Sequence, residues 1–127
     1  MEKRFTIADR LKSVGFAFTG IATMIRTQHN AWIHLASTVT VVSAGFWFAV
    51  PREDWAWLVL AIVAVWTAEA LNTAFELMCD VASPEFHPLV KQAKDVAAGA
   101  VLIAAFGATI VGLLVFAPRL AVLFGWQ

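Results

Sequence analysis

Apolar residues form three long runs in this chain, and none of the runs contains Asp, Glu, Lys or Arg. The runs cover residues 27–51, 55–68 and 96–118. A helix needs roughly 20 apolar residues to cross a bilayer, so the first and third runs are long enough by themselves. The second run reaches that length only if its helix continues to about Cys79. We therefore predict three membrane-spanning helices, over about residues 30–50, 55–80 and 89–116.

The residues before the first run predict an additional helix, over about residues 6–26. Its apolar residues recur every three or four positions, at Ile7, Leu11, Val14, Phe18, Ile21 and Ile25. This spacing is typical of an amphipathic helix. Such a helix either lies on the cytoplasmic membrane surface or packs against the bundle as a fourth helix, and the pattern leaves both arrangements open. We expect the helix to end before the first span, between Thr27 and Asn30.

Prolines indicate where the spans are connected. Pro51 and the charged residues after it predict the turn before the second span, with Asp54 as the expected N-cap. The pairs Ser83-Pro84 and His87-Pro88 interrupt the next connection, because proline disfavours helix in the residue before it. We expect the third span to begin near Pro88 or Leu89 and to end near Phe116.

The composition agrees with a single small membrane domain. The chain has 127 residues, 61% of them hydrophobic, a formal net charge of zero and a lone cysteine, Cys79. Its mean hydropathy is +0.76. No alternating strand pattern is present, so we predict an all-α protein. Three spans enclose little interior, which favours shared helix packing in a homo-oligomer. We expect no intrachain disulfide and no nucleic acid partner.

Lys and Arg predict the orientation of the spans, because cytoplasmic segments of membrane proteins carry an excess of both. Seven of these residues lie before the first span or between the second and third, namely Lys3, Arg4, Arg10, Lys12, Arg26, Lys91 and Lys94. Two lie on the opposite side, Arg52 and Arg119. We therefore expect the N-terminus and the 80–95 connection to be cytoplasmic.

Four polar residues interrupt the apolar character of the second predicted span. Glu69, Asn72, Glu76 and Asp80 are separated by three, four and four positions, so they share one face of a helix. A carboxylate held at membrane depth costs roughly 2.5–3.5 kcal/mol even on lenient insertion scales. We therefore expect the function of the chain to depend on this polar stripe, defined as these four residues.

The stripe contains the groups that a phosphoryl transfer needs. Such a reaction needs a divalent cation on the nucleotide phosphates, a cationic side chain and a group that takes the proton of the acceptor hydroxyl. Glu76 and Asp80 provide oxygen ligands for Mg²⁺, Lys94 provides the cation, and Glu69 can serve as the base towards a lipid hydroxyl. A glycine-rich phosphate loop, which many soluble nucleotide-binding enzymes contain, is absent from the sequence.

Two other interpretations remain open at this point. The stripe can be a structural network in which Lys94 or Arg26 neutralises Glu76 and Asp80. It can also belong to an ion or proton transporter, since membrane carboxylates serve transport. Residues 55–68, the outer half of the second predicted span, contain no ionisable group. A transport path along this helix would therefore have no ionisable residue in its outer half, which argues against transport.

The sequence also resembles a known family. The segment 69–76, EALNTAFE, is followed by Asp80 and by the segment 87–101, HPLVKQAKDVAAGAV. These segments, together with residues 12–21 and 27–34, resemble the small prokaryotic diacylglycerol kinases, a family that includes undecaprenol kinases. The resemblance covers nearly the whole chain. The segment 93–101 is more similar to the undecaprenol kinase branch.

This resemblance implies a homotrimer in the bacterial inner membrane, with three spans and a surface helix per subunit. It also implies phosphorylation of a lipid alcohol with ATP and Mg²⁺, in active sites shared between subunits. In the family, the residue matching Glu69 is the general base and the residue matching Glu76 binds the metal. The resemblance also implies that Asn72, Lys94, Asp95 and the segment Glu85, Phe86 and His87 contribute to the catalytic and nucleotide site. We add Asp80 and Arg10 as expected nucleotide-binding residues. Phe16, Phe18 and Gly20 are expected where the lipid enters, and Phe16 is also expected to contact the nucleotide.

Gln28 departs from the family pattern. Many members have Glu at this position as a second metal ligand, whereas the amide of Gln28 contributes no charge. A catalytically weakened homologue is therefore an alternative to an active kinase. His29 and His34 are possible replacement ligands, but Mg²⁺ prefers oxygen, so we expect them to be interfacial polar residues. His87 has the alternative role of shaping its turn, and Arg10 that of contacting anionic lipid.

Overall fold

The computed structural model describes residues 6–125, and within that range the chain consists of four helices without strands. The helices are α1 (Ile7–Thr27), α2 (His29–Trp47), α3 (Arg52–Ala82) and α4 (Pro88–Leu123). The predicted all-α architecture is therefore found. Two of the basic residues used for the orientation, Lys3 and Arg4, lie outside the described residues.

The junction between α1 and α2 is a single residue, Gln28. Its backbone is extended, with φ −106° and ψ 116°, so the helix is interrupted within the predicted segment 27–30. Helix α1 begins at a capped end, where the Thr6 hydroxyl oxygen accepts a hydrogen bond from the Asp9 amide at 3.2 Å. This cap satisfies one of the free amides of the first turn.

The turn between α2 and α3 differs from the prediction. Helix α3 begins at Arg52 after the N-cap Pro51, so the expected N-cap role of Asp54 is wrong. Asp54 lies in the first helical turn, where a carboxylate is favoured by the partial positive charge of the helix end. Its carboxylate oxygen accepts a hydrogen bond from Arg119 Nη2 at 2.6 Å. This ion pair joins the start of α3 to the last part of α4.

The predicted end of the last helix near Phe116 is also wrong, because α4 continues to Leu123 with Pro118 inside it. A proline interrupts the hydrogen-bond ladder of a helix, and a local polar side chain can satisfy a carbonyl next to the interruption. The Arg119 guanidinium donates to the Val115 carbonyl in this turn. The last turns of α4 thus contain a side-chain hydrogen bond beside the proline.

Helix α3 is the central element, because it contacts each of the other three helices. Helix α4 runs antiparallel to it, as the pairs Asp80–Lys94 and Asp54–Arg119 at opposite ends demonstrate. A small apolar core formed by Val50, Leu58 and Val115 lies near the α2–α3 turn. Most large apolar side chains of α4 point outward; Leu102 and Ile103, for example, are 71% and 75% exposed.

Helices α3 and α4 are long and apolar enough to cross a membrane. Only 28% of the most apolar part of α3, and 11% of that of α4, is buried within the chain. An apolar helix in the core of a soluble protein would be mostly buried, so the outward apolar surfaces fit a bilayer better. Helix α2 has 19 residues, but within residues 6–125 only α3 and α4 combine sufficient length with sufficient apolar character. The three-span arrangement therefore stays a prediction for α2.

Candidate functional site

The four residues of the polar stripe lie along α3 and become more exposed towards its C-terminal end. The Glu69 side chain is fully buried and Asn72 is 6% exposed, whereas Glu76 is half-buried and Asp80 is exposed. The stripe thus leads from the protein interior at Glu69 to solvent at Asp80.

Gln28 meets the middle of the stripe. Gln28 Nε2 lies 3.4 Å from Glu76 Oε2, and Asn72 Nδ2 lies 3.3 Å from Glu76 Oε1. Each oxygen of the Glu76 carboxylate thus accepts one amide hydrogen bond. The two predicted metal residues are therefore neighbours, and we call Gln28, Asn72 and Glu76 the amide–carboxylate cluster.

The donor set of this cluster fits Mg²⁺ in one specific way. Among the described residues no ion pair reaches Glu76, and the Asn72 Oδ1 atom is buried without a hydrogen-bond partner. Carboxylate and amide oxygens suit Mg²⁺, which commonly takes only one or two protein carboxylates and fills its other positions with phosphate or water. No group of three or more His, Cys, Asp or Glu that could hold a metal occurs between residues 6 and 125. The cluster therefore fits a cation whose coordination is completed by phosphate oxygens and water better than a cation bound by protein atoms alone.

Lys94 pairs with Asp80 rather than with Glu76. The Lys94 Nζ to Asp80 Oδ1 distance is 2.6 Å, and it joins the start of α4 to the end of α3. The structural-network alternative expected a cation on both Asp80 and Glu76. Asp80 is paired with Lys94, but Glu76 accepts hydrogen bonds from two amides instead. Asp95 likewise pairs with Lys91 on the same helix, with 2.6 Å between Lys91 Nζ and Asp95 Oδ2. Both pairs are solvent-exposed, and such pairs contribute little stability.

Glu69 faces a histidine of α2. His34 Nε2 lies 3.4 Å from Glu69 Oε2, and the side chain of His34 is 13% exposed. Neither His34 Nε2 nor either carboxylate oxygen of Glu69 has a partner in hydrogen-bond geometry. The backbone carbonyl of Glu69 accepts the Thr73 hydroxyl at 2.9 Å. The buried end of the stripe therefore has a carboxylate with free acceptor positions beside one imidazole.

The remaining predicted residues, Glu85, His87, Arg10 and Phe16, lie in the α3–α4 connection and on α1. His87 is the N-cap of α4, where its Nδ1 accepts from the Leu89 amide at 3.2 Å, so it shapes the turn as one alternative expected. Glu85 is exposed in the same connection, and its backbone carbonyl accepts from the Ser83 hydroxyl. Arg10 and Phe16 are exposed on α1. Nucleotide binding by these four residues stays a prediction.

The contacts of α2 with α3 are the part of the site that the sequence pattern did not identify. His34 lies beside Glu69, and one turn further along α2 the Thr38 hydroxyl oxygen accepts from Trp66 Nε1 at 3.0 Å. The sequence does contain a hint of these contacts. His34 and Thr38 are four positions apart on α2, and Trp66 and Glu69 are three positions apart on α3. Such spacings place each pair on one helix face, but they do not identify the facing helix.

Two open grooves lie beside α3 at the level of the stripe. A groove of about 470 Å³ between α3 and α4 is lined by Asn72, Phe75 and small residues such as Ala97. A groove of about 440 Å³ between α1 and α3 is lined by residues that include Gly20 and Thr73. Both linings are mainly apolar, so an apolar chain fits against α3 near the stripe.

Comparison with known proteins places this arrangement in a family. The family model for prokaryotic diacylglycerol kinase matches residues 15–116. The undecaprenol kinase of Bacillus subtilis strain 168 is 39% identical over 86% of this chain and 89% of its own length. A diacylglycerol kinase of Synechocystis is 39% identical over 87% of this chain and 63% of its own. The diacylglycerol kinase of Escherichia coli K12 is 29% identical over 79% of this chain and 82% of its own.

The match includes the junction at Gln28, the whole polar stripe and the Lys94–Asp95 segment. A family model that covers most of the chain, together with relatives of this identity, defines the family. The chain is therefore a member of the prokaryotic diacylglycerol kinase family, and it is a lipid kinase.

Proposed function

We propose that the protein transfers the γ-phosphoryl group of ATP, with Mg²⁺, to the hydroxyl group of a membrane lipid at the cytoplasmic face of the bacterial inner membrane. The observation that carries the proposal is the continuous stripe on α3. It begins at a fully buried carboxylate with free oxygens, Glu69, and leads to the amide–carboxylate cluster near solvent. A kinase of this kind must bring a lipid hydroxyl from the apolar interior next to a nucleotide from solvent, and the stripe connects these two environments.

Glu69 is the proposed general base. It accepts the proton of the lipid hydroxyl while the lipid oxygen forms a bond to the γ-phosphorus and the bond from that phosphorus to ADP breaks. The support is that both carboxylate oxygens are buried and lack hydrogen-bond partners. They are therefore free to accept, and water is excluded from the position where a base is needed.

Glu76, Gln28 and Asn72 are the residues that would hold Mg²⁺ through their side-chain oxygens. A magnesium ion bound there would neutralise charge on the nucleotide phosphates. Lys94, with Asp80 and Asp95 nearby, is proposed to contact the same phosphates. The 36% exposure of the Lys94 side chain and the solvent-exposed ends of α3 and α4 support access by a nucleotide.

Undecaprenol is the preferred lipid in this proposal, and diacylglycerol is the second candidate. The support is the match to the Bacillus subtilis undecaprenol kinase, which extends over 89% of that protein at 39% identity. The diacylglycerol kinase of equal identity is matched over only 63% of its length. The apolar groove linings accept either kind of lipid tail.

We further propose three spans per subunit, a cytoplasmic N-terminus and a homotrimer. The small core and the extensive exposed apolar surface of a single chain support burial of its faces in lipid and against other copies. Cross-linking of the protein in native membranes tests the subunit number, and cysteine accessibility at both ends of α2 tests the span.

The deciding experiment is a phosphorylation assay on purified protein in lipid vesicles. Labelled ATP and Mg²⁺ are supplied with undecaprenol in one sample and diacylglycerol in another. We expect labelled lipid phosphate in both samples, with faster turnover of undecaprenol. Faster turnover of diacylglycerol would reverse the substrate order, and ATP binding without product would favour the weakened homologue. Ion flux through the vesicles without ATP consumption would support transport instead.

A further inference from the structure

The contact between His34 and Glu69 is not explained by packing alone. Glu69 is a fully buried carboxylate, and His34 Nε2 lies 3.4 Å from its Oε2 atom. A carboxylate in a water-excluded position is costly unless a cation or hydrogen-bond donors face it. An imidazole N–H at this position meets that need, because Nε2 already lies within hydrogen-bond distance of Glu69 Oε2 and a small reorientation of either side chain would align the N–H with that oxygen.

The ring of His34 is held in place from its other side. The rings of His34 and Trp66 make an edge contact, with centroids 6.3 Å apart and an interplanar angle of 69°. Trp66 is itself fixed by its hydrogen bond to the Thr38 hydroxyl, and that hydroxyl donates to the His34 carbonyl at 2.7 Å. The imidazole therefore has a defined orientation towards the carboxylate, without lying on the nucleotide side of the stripe.

We propose that His34 is a positioning residue for Glu69. It donates Nε2–H to Glu69 Oε2, which orients the carboxylate and leaves Oε1 free for the lipid hydroxyl. This inference rests on the proposed function, because it requires that Glu69 act on a lipid hydroxyl. The alternative role expected for His34, as a replacement metal ligand, is not favoured, since the imidazole faces Glu69 and not the amide–carboxylate cluster.

Three variants separate positioning from packing. His34→Leu removes the donor and keeps an apolar side chain of similar size, and His34→Gln keeps an N–H at a comparable reach. Val41→Ala removes apolar packing on α2 against the core near the α2–α3 turn, away from the His34–Glu69 contact. Steady-state kcat and the KM values for ATP and lipid are measured for each variant in the same vesicles.

We expect His34→Leu to lower kcat on the order of 10- to 100-fold, which is the scale of a misplaced reacting group, with the KM for ATP unchanged. His34→Gln should recover most of this loss. Val41→Ala should keep kcat within about twofold, because it removes packing without touching the His34–Glu69 contact. Equal losses of kcat in His34→Leu and Val41→Ala would assign the effect to helix packing and overturn the proposal, as would full activity of His34→Leu.

A spectroscopic measurement tests the contact independently of turnover. The imidazole nitrogen resonance of His34 is identified by its loss in His34→Leu, since the chain has only 3 histidines. We expect it to shift in Glu69→Gln and to stay unchanged in Glu76→Gln; no shift in Glu69→Gln would overturn the contact. An inactive wild-type protein would overturn the proposed function, whereas an active wild type with fully active His34→Leu would overturn the role of His34 only.

Discussion

Gln28 and Glu76 are 48 positions apart in the chain, yet Gln28 Nε2 lies 3.4 Å from Glu76 Oε2. The contact depends on the extended backbone at Gln28, which separates α1 from α2 and directs this side chain towards α3. The neutral amide satisfies one oxygen of Glu76 without adding charge. A glutamate in the same place would put two carboxylates together, and such a pair is stable mainly with a cation between them.

The first prediction concerns this pair. Gln28→Glu should lower the Mg²⁺ concentration needed for half-maximal turnover, because it adds a charged oxygen ligand beside Glu76. Glu76→Gln should act in the opposite direction and abolish most activity, since it leaves three neutral amides at the cluster. Both effects are measured by titrating activity against Mg²⁺.

A matched control for the added charge is Gln92→Glu, because Gln92 is exposed near the start of α4 and away from the cluster. It should leave the Mg²⁺ dependence as in the wild type. If Gln28→Glu also leaves it unchanged while Glu76→Gln abolishes activity, Gln28 is only a helix-end residue. If neither variant changes it, the proposed metal site is wrong.

The second prediction is that Glu69→Gln keeps the fold and ATP binding but loses lipid phosphorylation. Loss of a general base typically costs about 10²–10⁴-fold in rate. Turnover is compared with that of Glu53→Gln, which changes an exposed glutamate in the first turn of α3. Turnover near the wild-type value in Glu69→Gln would remove Glu69 from the base role.

The third prediction distinguishes catalysis by Lys94 from its ion pair with Asp80. Lys94→Met should lower turnover about 100-fold or more if its cation stabilises the transferring phosphoryl group. Lys91→Met is the control for the loss of a positive charge, because Lys91 lies one turn away on the same helix in an exposed ion pair of its own, and it should cost far less. Comparable losses in the two variants would mean that Lys94 contributes only general positive charge.

The fourth prediction concerns packing at the α2–α3 turn. A Cβ atom at Gly45 would come within 2.6 Å of the Trp55 ring, and that ring is also in contact with Phe46, with centroids 5.0 Å apart. Gly45→Ala should therefore destabilise the fold by about 1–3 kcal/mol, the usual cost of overpacking. Thermal unfolding in detergent measures the change.

Two further variants check this explanation. Gly107→Ala adds the same methyl group where no atom lies within 4 Å, so it should not destabilise. In a Trp55→Phe background the smaller ring leaves room, and Gly45→Ala should then cost less than it does in the wild type. An equal cost in both backgrounds would mean that the Trp55 contact is not the cause.

The patterns of single helices were readable from the chain. The helix start at Pro88 and the shared face of Glu69, Asn72 and Glu76 depend on proline geometry and on the helical repeat, both of which act over a few residues. The break at Gln28 falls within the polar segment 27–30. Helix ends were less predictable. Helix α3 begins at Arg52 and α4 continues past Pro118 to Leu123, and the Asp54–Arg119 pair that joins these two ends links residues 65 positions apart.

The membrane character, the polar stripe and the family follow from the order of residues alone, because hydropathy, helical spacing and motif similarity are local properties. The partner of each polar group does not. Gln28 binds Glu76, Lys94 binds Asp80 and His34 faces Glu69 only because α2 and α4 pack against α3 at particular rotations. Those rotations are set by side-chain packing between helices, which no pattern along a single helix contains.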